Sequence, residues 1–462
     1  MNKSTILGDE LIDHLSRVQD CIGEPERPVT VEGLRGSASA YFLSRLHQLE
    51  KGRPILIVTT DQIRGELLLE DLKYFFHYAN LKTKPLFFPS WELLPYESLS
   101  PLSEISGERL EILNRLRNGE NLFLISPVEA IMQTVIPRVS LERNVFSIKP
   151  NDELEREFLE ASLTENGFSR SSLVENRCEF SVRGDIVDFF QPGAENPVRI
   201  EFFGDTIESI REFDVFSQIS ITKLKSIEIL PIREICLSKS ETQEGLKTIS
   251  RRSEELGLDA SLTQELREKI ENLGFFPGME FLSPFFFSKR ETVFDYLPQN
   301  TLIALDEPDL LMEKSRQFED LIVSEYNNSI ENCRVAAAPE ELYLSSAELE
   351  DKCQRLYGPV ILNSLKVTEG HFNSVDIKRL PQMVGNLNLF SDQILRWQKE
   401  EQKIVIVAPT KGQISRIHEL MNEWGLDADV DLGRLSEGFH FKSANLIFIA
   451  EHEIFGRSHK HR

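Results

Sequence analysis

The sequence is poor in cysteine and has no cysteine pairs. Cys21, Cys178, Cys236, Cys333 and Cys353 are scattered through 462 residues with no C-x-x-C spacing and an odd total. That argues against a disulfide framework or a zinc cluster and suits a reducing cytosol. Positive charge is scarce too. Lys and Arg total 52 against 75 Asp and Glu, a formal charge of −23, and basic residues concentrate only in the short end GRSHKHR. A duplex-DNA binder needs a basic stripe to displace condensed counterions, so protein partners fit this chain better than nucleic acid. No apolar run reaches the ~18 residues of a membrane span. The opening MNKSTILGDELIDHL places Asp and Glu where a secretion signal needs an apolar core. The expectation is a soluble, cytoplasmic chain.

What is present has the mix of an ordinary globular protein, 40% hydrophobic and 27% charged, with room for about three or four folding units. The run PILIVT at 54–59 precedes DQIRGELLLEDLKYFFHYA, whose apolar residues recur at helical spacing. NLFLISPVEAIMQTV near 121–135 repeats the rhythm. Strand–helix alternation predicts a parallel sheet covered by helices. From about residue 144 the pattern changes: LEREFLEASLTENGF reads as an amphipathic helix, and CEFSVRGDIVDFF and PVRIEFFGDTIESIREFD as strands joined at Gly-Asp turns. The expected class is multidomain α/β. Residues 1–143 form the first part of a parallel-sheet unit, 144–232 an inserted small α+β unit, 233–371 the remainder of the first, 372–456 a small α/β unit, and 457–462 a basic linker.

VEGLRGSASAYFL, residues 31–43, resembles a phosphate loop that has lost its chemistry. Against G-x-x-x-x-G-K-[ST] counted from Gly33, Ala38 replaces the second glycine, Ser39 the lysine and Ala40 the hydroxyl that holds Mg²⁺. Gly33, Gly36 and Ser37 can still make a turn, but nothing there neutralises a phosphate or holds a metal. Restoring Ala38→Gly, Ser39→Lys and Ala40→Thr together is expected to recover weak nucleotide binding at most. TLIALDEP imitates the acidic strand end of an ATPase, yet Asp306 and Glu307 have no metal–phosphate complex to serve, and a solvated strand end is expected. RGD at 183–185 reads as a turn. His418 and His440 stand alone, whereas a metal needs several donors in one place.

In PVRIEFF, period-2 alternation sends Val198, Ile200 and Phe202 to one face and Arg199, Glu201 and Phe203 to the other. In CEFSVRG, Phe180 and Val182 face one way, and Glu179, Ser181 and Arg183 the other. Two arginines and an outward phenylalanine on neighbouring strands have the composition of an interaction hot spot. A solvated sheet face with one covered aromatic has the same pattern. On either reading the outward side chains should matter little to stability.

GLRGSASAYFL, FFPSWELLPYESLSP, ISPVEAIMQTVIP, RGDIVDFFQPGAENPVRIEFFGDTIESIREFD, FFFSKRETVFDYLPQNTLIALDEP and AEHEIFG together resemble, in this order, the N-terminal portion of the bacterial transcription-repair coupling factors. The resemblance implies a structural relative of the excision-repair protein UvrB that lacks an ATPase of its own, with residues 33–40 a relic of the UvrB phosphate loop. It implies UvrA binding by the inserted unit through Arg183, Arg199 and Phe203. It also implies that the chain is a fragment: RNA polymerase, DNA, ATP and Mg²⁺ would engage parts beyond it, and a C-terminal regulatory domain would mask its surface. UvrB grips DNA with an aromatic hairpin; the stretch between Trp91 and Glu108 is too short to hold one. The competing readings are a nucleotide-dependent helicase-like core with a noncanonical loop, and a clamp that holds an absent motor inactive.

Overall fold

The structure, a computed structural model, describes residues 29–355, 359–365 and 375–456. Cys21, the opening segment and the expected basic linker at 457–462 lie outside the described residues. The first unit is a six-stranded sheet in the order Val29–Glu32, Val360–Asn363, Leu302–Asp306, Ile55–Thr59, Phe123–Pro127, Pro85–Phe87. All neighbours pair in parallel. Ile55–Thr59 and Phe123–Pro127 are buried at every position, as parallel strands with both faces covered must be. The helix Gln62–Tyr78 starts where Asp61 accepts a hydrogen bond from the Arg64 N–H, which satisfies one of the free donors at a helix N-terminus.

The chain leaves this unit along Phe146–Ile148 and returns along Ile227–Ile229, which pair antiparallel. Between them lies a second sheet, ordered Ser220–Lys223, Thr206–Phe213, Val198–Phe203, Ile186–Phe189, Glu179–Arg183, Ser169–Arg170. The Gly-Asp turns at Gly184 and Gly204 have positive φ, 60° and 62°, where glycine carries no Cβ penalty. The helix Arg156–Glu165 lays Leu159 and Leu163 on one sheet face, against Phe180, Val187, Val198, Ile200 and Phe202.

Just past the returning strand, a buried ion pair holds the chain on the first unit. Arg109, on the helix Ser103–Arg117, bonds Glu234 through Nε–Oε1 at 2.5 Å and Nη2–Oε2 at 3.2 Å and gives Nη1 to the Pro89 carbonyl at 2.7 Å. The Trp91 indole N–H donates to the same Glu234 Oε1 at 2.7 Å, and the Arg109 guanidinium lies 4.3 Å from the Phe88 ring centre. The irregular segment around Trp91 packs inward on this pair.

The last unit is a five-stranded sheet, Ile377–Lys378, Phe439–Phe441, Leu446–Ala450, Lys403–Ala408, Asp429–Leu432. The sheet is its own, but one face shares the core of the first unit. Two helices, Ala38–Leu49 and Gln62–Tyr78, supply the joint: the Phe75 ring meets Phe439 at 6.2 Å and Phe448 at 5.1 Å, and Tyr41 meets the same two at 5.9 and 5.8 Å. Beside them the buried Asp71 carboxylate accepts the Ser436 N–H at 2.6 Å and its hydroxyl at 2.5 Å.

Two outcomes follow from this packing. Arg109→Ala strands the Glu234 carboxylate in the interior and should cost roughly 3–5 kcal/mol, whereas Arg109→Met with Glu234→Leu should regain most of that loss. Urea titration reads both, and a single variant within about 0.5 kcal/mol of wild type would contradict the role given to the pair. Burial pushes the Asp71 carboxyl up to about 7 despite the opposing bonds from Ser436, while an unfolded Asp titrates near ~4. The folded state therefore keeps a proton that the unfolded chain has released, and this contribution to stability is lost as pH rises from about 4 through about 7. Melting curves across that range should show the wild type losing ground to Asp71→Asn as pH increases; parallel profiles would refute the assignment.

Candidate partner-binding face and a filled phosphate loop

Gly33 and Gly36 take positive φ, 87° and 59°, and turn the chain from the strand Val29–Glu32 into the helix Ala38–Leu49. The loop thus keeps the turn of a phosphate cradle, and its contents are protein. Ser37 gives both its N–H, at 3.1 Å, and its hydroxyl, at 2.7 Å, to the Glu437 carbonyl. A Cβ on Gly36 would stand 2.7 Å from the Gly438 carbonyl oxygen. The strap 436–438 is anchored at one end by Ser436 on Asp71 and at the other by the Gly438 N–H, which donates to Glu453 at 2.9 Å. Ser37, Ala38, Ser39 and Ala40 are all buried. The Ser37 N–H and hydroxyl, which a bound anion would need, are thus already taken by a backbone carbonyl.

Asp306 corrects the expectation of a solvated strand end. Its carboxylate is buried and paired with Arg64, Nε–Oδ2 at 2.6 Å and Nη2–Oδ1 at 3.0 Å. Burial opposes the Arg64 charge, but its bonds to Asp306 more than offset this and hold its pKa above the usual value. The reason is topological: the strand ending at Asp306 lies beside Ile55–Thr59, and the helix that follows the latter delivers Arg64 in its first turn. Glu307 is not free either, since its Oε1 accepts the Ser364 N–H at 2.7 Å. Among the described residues no group of three or more His, Cys, Asp or Glu is placed to hold a metal. His418 is exposed; His440 is buried against Trp397, bonds Gln402 at 3.0 Å and has its pKa lowered by burial.

The second candidate lies on the inserted sheet. Across its outer face Ser181, Asp188, Arg199 and Arg211 stand in register on four adjacent strands. Asp188 is fully buried. It takes the fork of Arg199, Nε–Oδ1 at 2.8 Å and Nη2–Oδ2 at 2.9 Å, and also the Nη2 of Arg183 at 2.7 Å. Arg199 bonds the Gln218 carbonyl and Oε1 as well, at 3.3 and 3.1 Å, and lies over the Phe213 ring at 4.4 Å. Its hydrogen bonds to Asp188 hold its pKa above the usual value. Beside this row Arg211 pairs with Glu201.

The three residues singled out on this face differ in character. Phe203 is 80% exposed at the end of its strand, while Phe202 beside it is buried in the inner core. The Arg183 side chain is 43% exposed, but that of Arg199 only 13%. Arg199 is therefore not the side chain of little structural weight that alternation alone suggests: it neutralises Asp188, and Ser181 in the same row is buried too. Asp188, Phe213 and Gln218 were missed. The available signal was an acid at an alternating position of the apolar strand Ile186–Phe189, which needs a cation wherever that position is buried.

Residues 146–234 match the family model of the UvrB interaction domain. Over 94% of its length the chain is 30% identical to a transcription-repair-coupling factor of Myxococcus xanthus and covers 39% of that protein. The corresponding protein of Bacillus subtilis (strain 168) is 27% identical, with 92% of this chain and 38% of the relative aligned. That of Escherichia coli (strain K12) is 28% identical over 68% of this chain and 27% of the relative. The chain thus spans about two fifths or less of the length of the relatives it matches. By sequence, the chain matches the N-terminal region of the transcription-repair-coupling factors, and its residues 146–234 match the UvrB interaction domain.

Proposed function

We propose that this chain is a recruiting module: the outer face of the inserted sheet binds UvrA and so brings excision repair to a stalled RNA polymerase. The observation that carries the reading is an 80% exposed Phe203 ring on the same sheet face as two arginines oriented by one buried carboxylate, inside the UvrB interaction domain. An aromatic anchor beside fixed guanidinium forks is the usual make-up of an interface hot spot, and arginines already held by Asp188 lose little freedom when a partner carboxylate or carbonyl arrives. Arg183 keeps donors for a partner; Arg199 contributes chiefly by holding the row in place. RNA polymerase contact and ATP-driven movement on DNA are assigned to other parts of the longer protein. Residues 1–462 act without a nucleotide, metal or catalytic step. The functional setting is the cytoplasm, and among the described residues no helix is long and apolar enough to cross a membrane.

Titration of UvrA against single variants separates these roles. Arg183→Ala and Phe203→Ala should each weaken binding by about 1–4 kcal/mol while shifting stability by only about 0.5 kcal/mol. Arg199→Ala should lose binding and also cost roughly 1–3 kcal/mol of folding free energy, because Asp188 is left with one partially exposed partner. Wild-type binding by both Arg183→Ala and Phe203→Ala would sink the assignment of this face.

The filled cradle makes a further outcome specific. A Mg²⁺–ATP titration should be silent for the wild type and equally silent for the Ala38→Gly, Ser39→Lys, Ala40→Thr variant, since the Glu437 carbonyl still occupies the loop. Saturable micromolar binding by the wild type would contradict the non-catalytic reading. Recovery in the triple variant would contradict the strap as an obstacle.

A further inference from the structure

A crevice of about 270 Å³ opens where three neighbouring parallel strands end, Ile55–Thr59, Pro85–Phe87 and Phe123–Pro127. The carboxyl ends of parallel strands are where α/β sheets place ligands. This crevice is separate from both the phosphate loop and the inserted sheet face. Its walls include Trp91, Phe281, Phe318 and Tyr343, with Asp61 and Glu129 at the strand ends and Glu92, which accepts from the Gln62 amide at 3.3 Å, beside them. Asp61 is already engaged, capping the helix Gln62–Tyr78 through the Arg64 N–H at 2.9 Å and accepting the Thr60 hydroxyl at 3.1 Å. Glu129 is not so engaged: its Oε2 is buried and has no hydrogen-bond partner. Burial pushes its pKa up and Asp61 adds to this, against a hydrogen bond from the residue's own backbone and the field of Lys314.

A buried acceptor left unbonded is unusual in a folded protein and calls for a donor. Three acidic residues in an aromatic-walled crevice repel a phosphate and favour a cation, because aromatic faces and carboxylates both attract ammonium and guanidinium groups. The volume suits a small group on an aliphatic stem. We infer that this crevice binds an alkylguanidinium or alkylammonium group, which donates to Glu129 Oε2 and lays its stem against the aromatic wall. Such a group comes either from a free cation such as a polyamine or from an Arg or Lys side chain of a partner protein. The inference stands independently of the UvrA reading.

Calorimetric titration of the whole 462-residue chain with agmatine and with N-acetylarginine amide tests it, with N-acetylcitrulline amide as the uncharged isostere. At least one of the two cations should bind saturably. The citrulline compound, and Glu129→Gln titrated with the same cation, should bind roughly tenfold or more weakly. Agmatine alone binding points to a free cation, and acetylarginine amide alone to a protein side chain. Glu129→Gln should melt at or above the wild type, since it removes a buried carboxylate that lacks a partner. No saturable binding of either cation, equal binding of the citrulline compound, unchanged affinity in Glu129→Gln, or a melting point well below wild type would each overturn the inference.

Discussion

A carboxylate taken out of water needs a cation, several donors or a proton. This chain meets that constraint with arginine at three places, and its organisation follows from them. Arg64 on Asp306 ties the first helix turn after Ile55–Thr59 to the neighbouring strand end, Arg109 on Glu234 holds the chain on the first unit where it returns from the inserted sheet, and Arg199 with Arg183 on Asp188 builds the outer face of that sheet. In the first and third pairs, and at Glu234 as well, the arginine engages both carboxylate oxygens, which fixes orientation as well as charge. Each pair contributes direction where apolar packing alone would leave neighbouring elements free to slide.

The first and last units illustrate a second economy. The turn at residues 33–37 is filled by a carbonyl of the strap 436–438. Loop and strap form a joint between two sheets, sealed by the aromatic cluster around Phe75, Phe439 and Phe448. The unit at 372–456, which offered no site chemistry in its sequence, packs on the first unit at this loop. A presenting surface needs a rigid scaffold, because an anchoring side chain is effective only if the sheet behind it does not yield.

Much of this was legible in the residues. The apolar runs PILIVT and NLFLISP, each followed by helical spacing, define the parallel sheet, and alternation in PVRIEFF placed Phe202 inside and Phe203 outside. Long-range pairing was not legible. Asp306 looks solvated because Arg64, 242 positions away in the chain, is brought to it only by sheet order. Arg199 looks like an outward cation until Asp188 is seen to be buried beneath it. The unbonded oxygen of Glu129 has no sequence signature at all, since its burial depends on Trp91, Phe281 and Tyr343 converging from three separate segments. Period and turn chemistry are local properties, whereas charge compensation is a property of the assembled sheet.

The central claim is that the outer face of the inserted sheet is the docking surface for UvrA. Hydrogen–deuterium exchange of the chain with and without UvrA measures this directly, peptide by peptide. The account predicts that added protection centres on peptides from Glu179–Arg183 and Val198–Phe203, with the phosphate loop and the strands Lys403–Ala408 and Leu446–Ala450 unchanged. Protection that falls on the last sheet or on the phosphate loop while those two strands exchange as in the free chain would contradict it.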